Sequence, residues 1–259
     1  MIDSQSVAIV VALTTTTFAL GLLLGFIGAG GAGLVVALLT SVFGLEVHEA
    51  IGTALAAMCF VTIAGSISHY REGNIAFTIG VVAGLAGAIG AAIGAAIGQD
   101  ITARPLQLAA GLALWVLALL VWLRLRLVER APRAAIVGHG ATQGPVRRMI
   151  ASVGLGLSGG AAAAFFGVGM APFLQFGLLT VLKLPLRQTV GTTMLTLVFI
   201  SLSGTLILAR HGDVSVPHLI GTVVGLSSGS YLGARYTRRA RREVLRTAVV
   251  VVPFSSNLD

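Results

Sequence analysis

A helix that breaks inside a membrane exposes backbone N–H groups, and an anion can accept their hydrogen bonds without any buried cation. The stretch GFIGAGGAG, residues 25–33, has the composition for that chemistry. Five of its nine residues are glycine, none is charged, and the apolar run LVVALLTSVF follows at once. Open backbone in lipid costs several kcal/mol per unpaired group, so such a stretch persists only where protein buries it or a cavity solvates it. A helix starting there presents roughly half a positive charge at its N-terminus. FFGVGMAP, 165–172, repeats the pattern, with Pro172 suited to a first helical turn. The backbone candidates for an anion site are therefore Gly28, Gly30, Gly31, Gly33, Gly167 and Gly169. The competing role for these glycines is close helix packing. Thr53, Thr192, Thr193 and Gln188 are the side-chain candidates. The threonine hydroxyls either donate to an oxyanion or bond back to their own helix.

Glu49 is the ionisable group best placed to carry a proton, since it opens an apolar segment and acids inside membranes often do so. Asp3, Glu46, Glu72, Asp100, Glu129, Asp213, Glu243 and Asp259 all fall at segment ends or in loops. That distribution argues against a carboxylate relay through the protein. An anion leaving a cell that is negative inside gains about 2.3 kcal/mol per charge per 100 mV, so export needs no coupling ion. Arg71 and Arg210 read as interfacial residues with stems along the apolar surface, or as residues that draw anions to a vestibule. His69, His211 and His218 lack metal-ligand spacing and Cys59 is the single cysteine, so neither a metal nor a cofactor is expected. Gly156-Leu157-Ser158-Gly159 matches the short pattern of an intramembrane serine protease, with His211 or His218 as base. Against this weaker alternative, Ala19 occupies the position in the first half that Ser158 holds in the second.

The elements that would hold these residues are membrane helices. Only 10% of the 259 residues are charged and 56% are hydrophobic, against about 25% charged in soluble domains. Runs of about 20 apolar residues are long enough to span a bilayer. Shifted by 139 residues, the chain aligns on itself without gaps: Gly28 on Gly167, Gly30 on Gly169, Gly52-Thr53 on Gly191-Thr192, Gly65 on Gly204, and REGNI on RHGDV. The fold class expected is all-α, a polytopic membrane protein of two inverted-topology repeats, each of about five segments with a Gly-rich break. The segments read 7–25, 28–45, 49–69, 75–98 and 105–125, then 149–166, 167–184, 187–209, 214–235 and 243–254. The first repeat covers 1–125, a linker 126–147 and the second repeat 148–259.

The net charge of +8 follows the positive-inside rule rather than marking a nucleic-acid partner. The Arg-rich linker lies in the cytoplasm, which puts the 44–48 loop outside and the 183–187 loop inside if both 28–45 and 167–184 cross. Gly221, Gly225, Gly229 and Gly233 recur every four residues as a packing stripe. The partners expected are a small anion, the lipid bilayer and, at most, a second copy of the chain.

The motifs GAGGAGLVVALL, AIGTAL and REGNI, answered by GVGMAPFLQF, TVGTTML and RHGDV, resemble those of the TauE/SafE sulfite exporter family over nearly the whole chain. The chain departs from the family's usual proline with Ala37 and Phe176, and thins the second glycine cluster to Met170-Ala171-Pro172. The resemblance implies a multi-pass protein of the bacterial plasma membrane that exports sulfite or a small organosulfonate. A channel or permease for another small organic acid is the alternative.

Overall fold

The computed structural model describes residues 4–27, 32–130, 144–167 and 170–232. Among the described residues there are nine helices and no strand. They are α1 (Ser4–Ile27), α2 (Ala32–Ser41), α3 (Val47–Arg71), α4 (Phe77–Gln99), α5 (Ala103–Arg130), α6 (Pro145–Phe166), α7 (Ala171–Thr180), α8 (Leu186–Arg210) and α9 (216–232). Four of them, α3, α4, α6 and α8, are long and apolar enough to cross a membrane. The expected segment 243–254 and Gly233 lie outside the described residues. One boundary differs from expectation. Helix α5 runs on to Arg130, into the stretch read as linker, because RLRLVER is made of good helix formers.

The repeat is visible element by element. Helix ends at 41 and 180 and at 71 and 210, and starts at 47 and 186 and at 77 and 216, all differ by the same 139 residues. The turns agree too. Gly44 and Lys183, which are repeat-equivalent, both have positive φ (68° and 51°), as do Gly73 and Gly212 (67° and 86°).

Glycine faces hold the bundle together. On α4 the residues Gly80, Gly84, Gly87, Gly90, Gly94 and Gly98 are buried, while Leu85, Ile89, Ile93 and Ile97 face outward. This arrangement suits lipid, where small residues let backbones approach and bulky ones meet the hydrocarbon. A Cβ on Gly90 would overlap the Leu157 carbonyl oxygen, one on Gly94 that of Ala161, and one on Gly160 that of Gly87. Helices α4 and α6 therefore lie backbone to backbone and run parallel. The same seam recurs between α9 and α1. A Cβ on Gly229 would meet the Phe18 carbonyl, and one on Gly21 the Leu226 carbonyl at 2.8 Å. Shifting Gly90 and Leu157 by 139 in opposite directions gives Gly229 and Phe18.

Helices α3 and α8 run in opposite directions. A Cβ on Gly65 would lie 3.3 Å from Met194, and one on its counterpart Gly204 would lie 3.1 Å from Leu55, the counterpart of Met194. An exchange of halves that reproduces each contact is the signature of a twofold relation, as in an isologous dimer interface. Helix α8 also runs parallel to α4, with Thr196 donating to the Gly80 carbonyl at 3.3 Å and Ser203 to the Ala88 carbonyl at 2.7 Å. Since α6 and α8 are both parallel to α4, the stretch between them must carry the chain back. It does so through α7, which packs Leu174 on Gly159 and Gly177 on Leu155. At ten residues α7 is about 15 Å long, half the depth of a hydrocarbon core of about 30 Å.

Candidate functional site

Helix α6 ends at Gly167, whose φ of 65° is left-handed. A Cβ there would overlap Ile51, near the start of α3. Helix α7 starts after Met170, with no side-chain cap and with Pro172 in its first turn. Proline has no N–H, so this terminus offers fewer donors than the sequence pattern promises. Met170, Ala171 and Gln175 are buried. In the first repeat, Gly28, Gly30 and Gly31 lie outside the described residues, as does Gly169 in the second. Gly33 is not in the break: it is a buried residue inside α2.

Thr53 and Thr192 are fully buried, and each reaches into the other repeat. The Ser215 N–H donates to the Thr53 hydroxyl at 3.0 Å, and the Ala76 N–H donates to the Thr192 hydroxyl at 3.0 Å. These are equivalent contacts, one at the start of α9 and the other at the start of α4. The glycine before each threonine completes the joint. A Cβ on Gly52 would overlap the Asp213 carbonyl, and one on Gly191 the Asn74 carbonyl. The Gly-Thr pairs and the REGNI/RHGDV loops are thus two halves of one lock, used twice. Thr193 is also buried, and it donates back to the Thr189 carbonyl at 2.8 Å.

Among the described residues, Thr53 and Thr192 do not meet at one central site. Equivalent residues on antiparallel helices sit at the same depth only near the middle of the pair. With Leu55 beside Gly204 and Gly65 beside Met194, Thr53 lies about 20 Å along the axis from Thr192. Glu49, Thr53 and Gly167 belong to one end, and Gln188, Thr192 and Thr193 to the other.

The two ends differ in charge. Where α3 finishes and α4, α6 and α8 begin, the described residues include Arg71, Arg147, Arg148, Lys183 and Arg187, together with Glu72. The opposite end carries Glu46, Glu49, Asp100 and Asp213 against Arg104 and Arg210. There the Gln99 amide donates to Asp213 Oδ2 at 2.6 Å, and His48 Nε2 bonds the Gly98 carbonyl at 3.1 Å. Ser215 Oγ bonds His218 Nδ1 at 2.7 Å, with Phe43 edge-on to the ring. Glu49, half-buried, lies within electrostatic reach of that ring.

The protease pattern does not assemble. Ser158 is exposed and donates to the Gly154 carbonyl, while His211 bonds the Ile207 carbonyl and His218 is held by Ser215. Among the described residues no cluster could hold a metal ion. The sequence reading passed over Arg148 as one more linker arginine. Yet Arg148, Ser152, Gly156 and Gly160 form one stripe at four-residue spacing, and the last three are buried. That spacing places an arginine on the packed face of α6.

Replacing either locking threonine by valine removes an acceptor from an otherwise unpaired N–H. Thr53→Val and Thr192→Val should each cost about 1 kcal/mol, and the double variant should lose the sum because the sites are far apart. Denaturation in detergent measures this, and a large coupling between the two would contradict it.

A bundle of apolar, glycine-seamed helices with its charges confined to its ends is a multi-pass membrane protein. The family model described as Sulfite exporter TauE/SafE matches residues 13–258. The chain belongs to that family and is a membrane transporter of the bacterial cell membrane. It is 37% identical over 241 residues to the probable membrane transporter protein YdhB of Bacillus subtilis strain 168, covering 93% of this chain and 96% of that one. Probable membrane transporter proteins of Xylella fastidiosa are also similar. The one from strain Temecula1 is 30% identical over 220 residues (83% of this chain, 81% of that one), and the one from strain 9a5c 29% over 222 residues (84% and 82%). No solved structure matches the chain.

Proposed function

We propose that this transporter exports sulfite or a small organosulfonate from the cytoplasm, through two repeats of inverted topology. The family match over 13–258 carries the substrate class. Inversion is supported by the opposed α3 and α8: a twofold perpendicular to spanning helices lies in the membrane plane. The charge division supports the direction. By the positive-inside rule, the arginine-rich end faces the cytoplasm and gathers anions, and the carboxylate-rich end faces outward and disfavours their return. Membrane voltage alone then drives the export of an anion, and no catalytic step is involved. Each threonine lock is positioning machinery for the substrate path rather than part of a shared central pocket. Alternating access, with one repeat rocking against the other, is the motion this architecture allows.

Uptake of radiolabelled sulfite into proteoliposomes tests the proposal, with imposed voltage and pH gradients and with sulfonates, sulfate and thiosulfate as competitors. Saturable uptake, competed by sulfonates and driven by voltage alone, is the expected result. Uptake no greater than in empty liposomes, from folded protein, would overturn the substrate class.

A further inference from the structure

A cavity of about 400 Å³ lies between the start of α4 and the start of α6, lined by Phe77, Thr78, Arg148, Met149 and Ser152 among others. Among the described residues that line it, Arg148 is the charged one. The Nε of Arg148 is shut off from solvent and has no hydrogen-bond partner among the described residues. A guanidinium nitrogen in that position lacks the acceptor it is built to meet. At the same end of the bundle the Glu72 carboxylate is engaged elsewhere, accepting from Asn74 Nδ2 at 2.9 Å with His69 at 3.9 Å. The first turn of α4 adds N–H groups with no acceptor inside their own helix, at the positive end of its dipole. The Ala76 N–H is excluded from this set, because Thr192 takes it. An arginine fork matches oxyanions in shape as well as charge.

We propose that this cavity is the cytoplasmic capture site for the transported anion, with Arg148 as the residue that binds a small oxyanion such as a sulfonate. The position equivalent to Arg148 in the first repeat is Ile9, so the outer end has no matching arginine there. Capture is therefore one-sided, as export requires. The inference rests on the anion-export reading and deepens it.

The test uses the full chain in detergent. Thr78 is exposed and lines the cavity, and the native Cys59 is buried. A Thr78→Cys variant is reacted with two methanethiosulfonate reagents, one ending in a sulfonate and one in a trimethylammonium. Each rate is divided by that of a free thiol. The sulfonate reagent should be favoured about fivefold, the effect of one nearby cation at a wet site. Arg148→Gln should remove the preference, whereas Arg148→Lys and the neighbouring Arg147→Gln should keep it. Equal normalised rates, or a preference that survives Arg148→Gln, would overturn the proposal. Sulfite uptake is measured on the same preparations. An Arg148-dependent preference in a protein that moves no sulfite or sulfonate would leave the capture site standing and remove the substrate reading.

Discussion

Gly160→Ala is expected to destabilise the fold strongly, while Gly154→Ala in the same helix should be neutral or stabilising. The two glycines differ in what a methyl group meets. At Gly160 a Cβ would overlap the Gly87 carbonyl oxygen and lie 2.7–2.8 Å from two more backbone atoms; at Gly154 nothing lies within 4 Å. A backbone atom cannot rotate out of the way as a side chain can, so α4 and α6 would have to part along the whole seam. Overpacking commonly costs 1–3 kcal/mol where side chains can yield. Here about 3 kcal/mol or more is expected, a large share of a stability of about 5–15 kcal/mol. The Gly154 substitution instead gains up to about 1 kcal/mol of helix propensity. Size-exclusion profiles and thermal unfolding in detergent separate the cases. Equal behaviour of the two variants would mean that the seam is looser than described.

Gly167→Ala is expected to cost about 2–5 kcal/mol, from two sources. A left-handed backbone costs a residue with a side chain roughly 1–2 kcal/mol, and the overlap with Ile51 adds about 1–3 kcal/mol. Ile51→Ala opens the space that the new methyl needs. The double variant should therefore be more stable than the sum of the single losses by at least about 1 kcal/mol. The left-handed strain should remain. Transport should fall in the single variant, because Gly167 sets where α6 stops and α7 turns back. Additive losses would mean that the break is not held against α3.

Much of this fold was legible before any coordinates. Glycines and apolar runs recur at a fixed separation because each repeat must pack the same helix faces, and the observed helix ends keep that separation. The Gly-Thr pairs and the REGNI/RHGDV loops stood out as paired signals. Their relation to each other did not, since it crosses between repeats and a sequence carries no record of which segments touch. Thr53 and Thr192 are expected at one central site, and they stand apart for a geometric reason. The antiparallel packing of α3 and α8 sends Thr53 and Thr192 to opposite ends of the pair, and only residues near mid-helix can meet across the axis. Arg148 was legible in principle from its place in the stripe with Ser152, Gly156 and Gly160. Its position in an arginine-rich stretch made it look like a topology signal alone.

The proposed inversion underlies the direction of transport and the one-sided capture that we propose, and one pair of equivalent residues tests it. Glu72 and His211 are exposed residues that follow α3 and α8, and both adopt ordinary right-handed backbone. Single cysteines at the two positions would be labelled with a membrane-impermeant thiol reagent in intact cells and again after permeabilisation. His211→Cys should react in intact cells, and Glu72→Cys only after permeabilisation. Labelling of both from the same side would contradict the inverted arrangement and the direction of transport drawn from it.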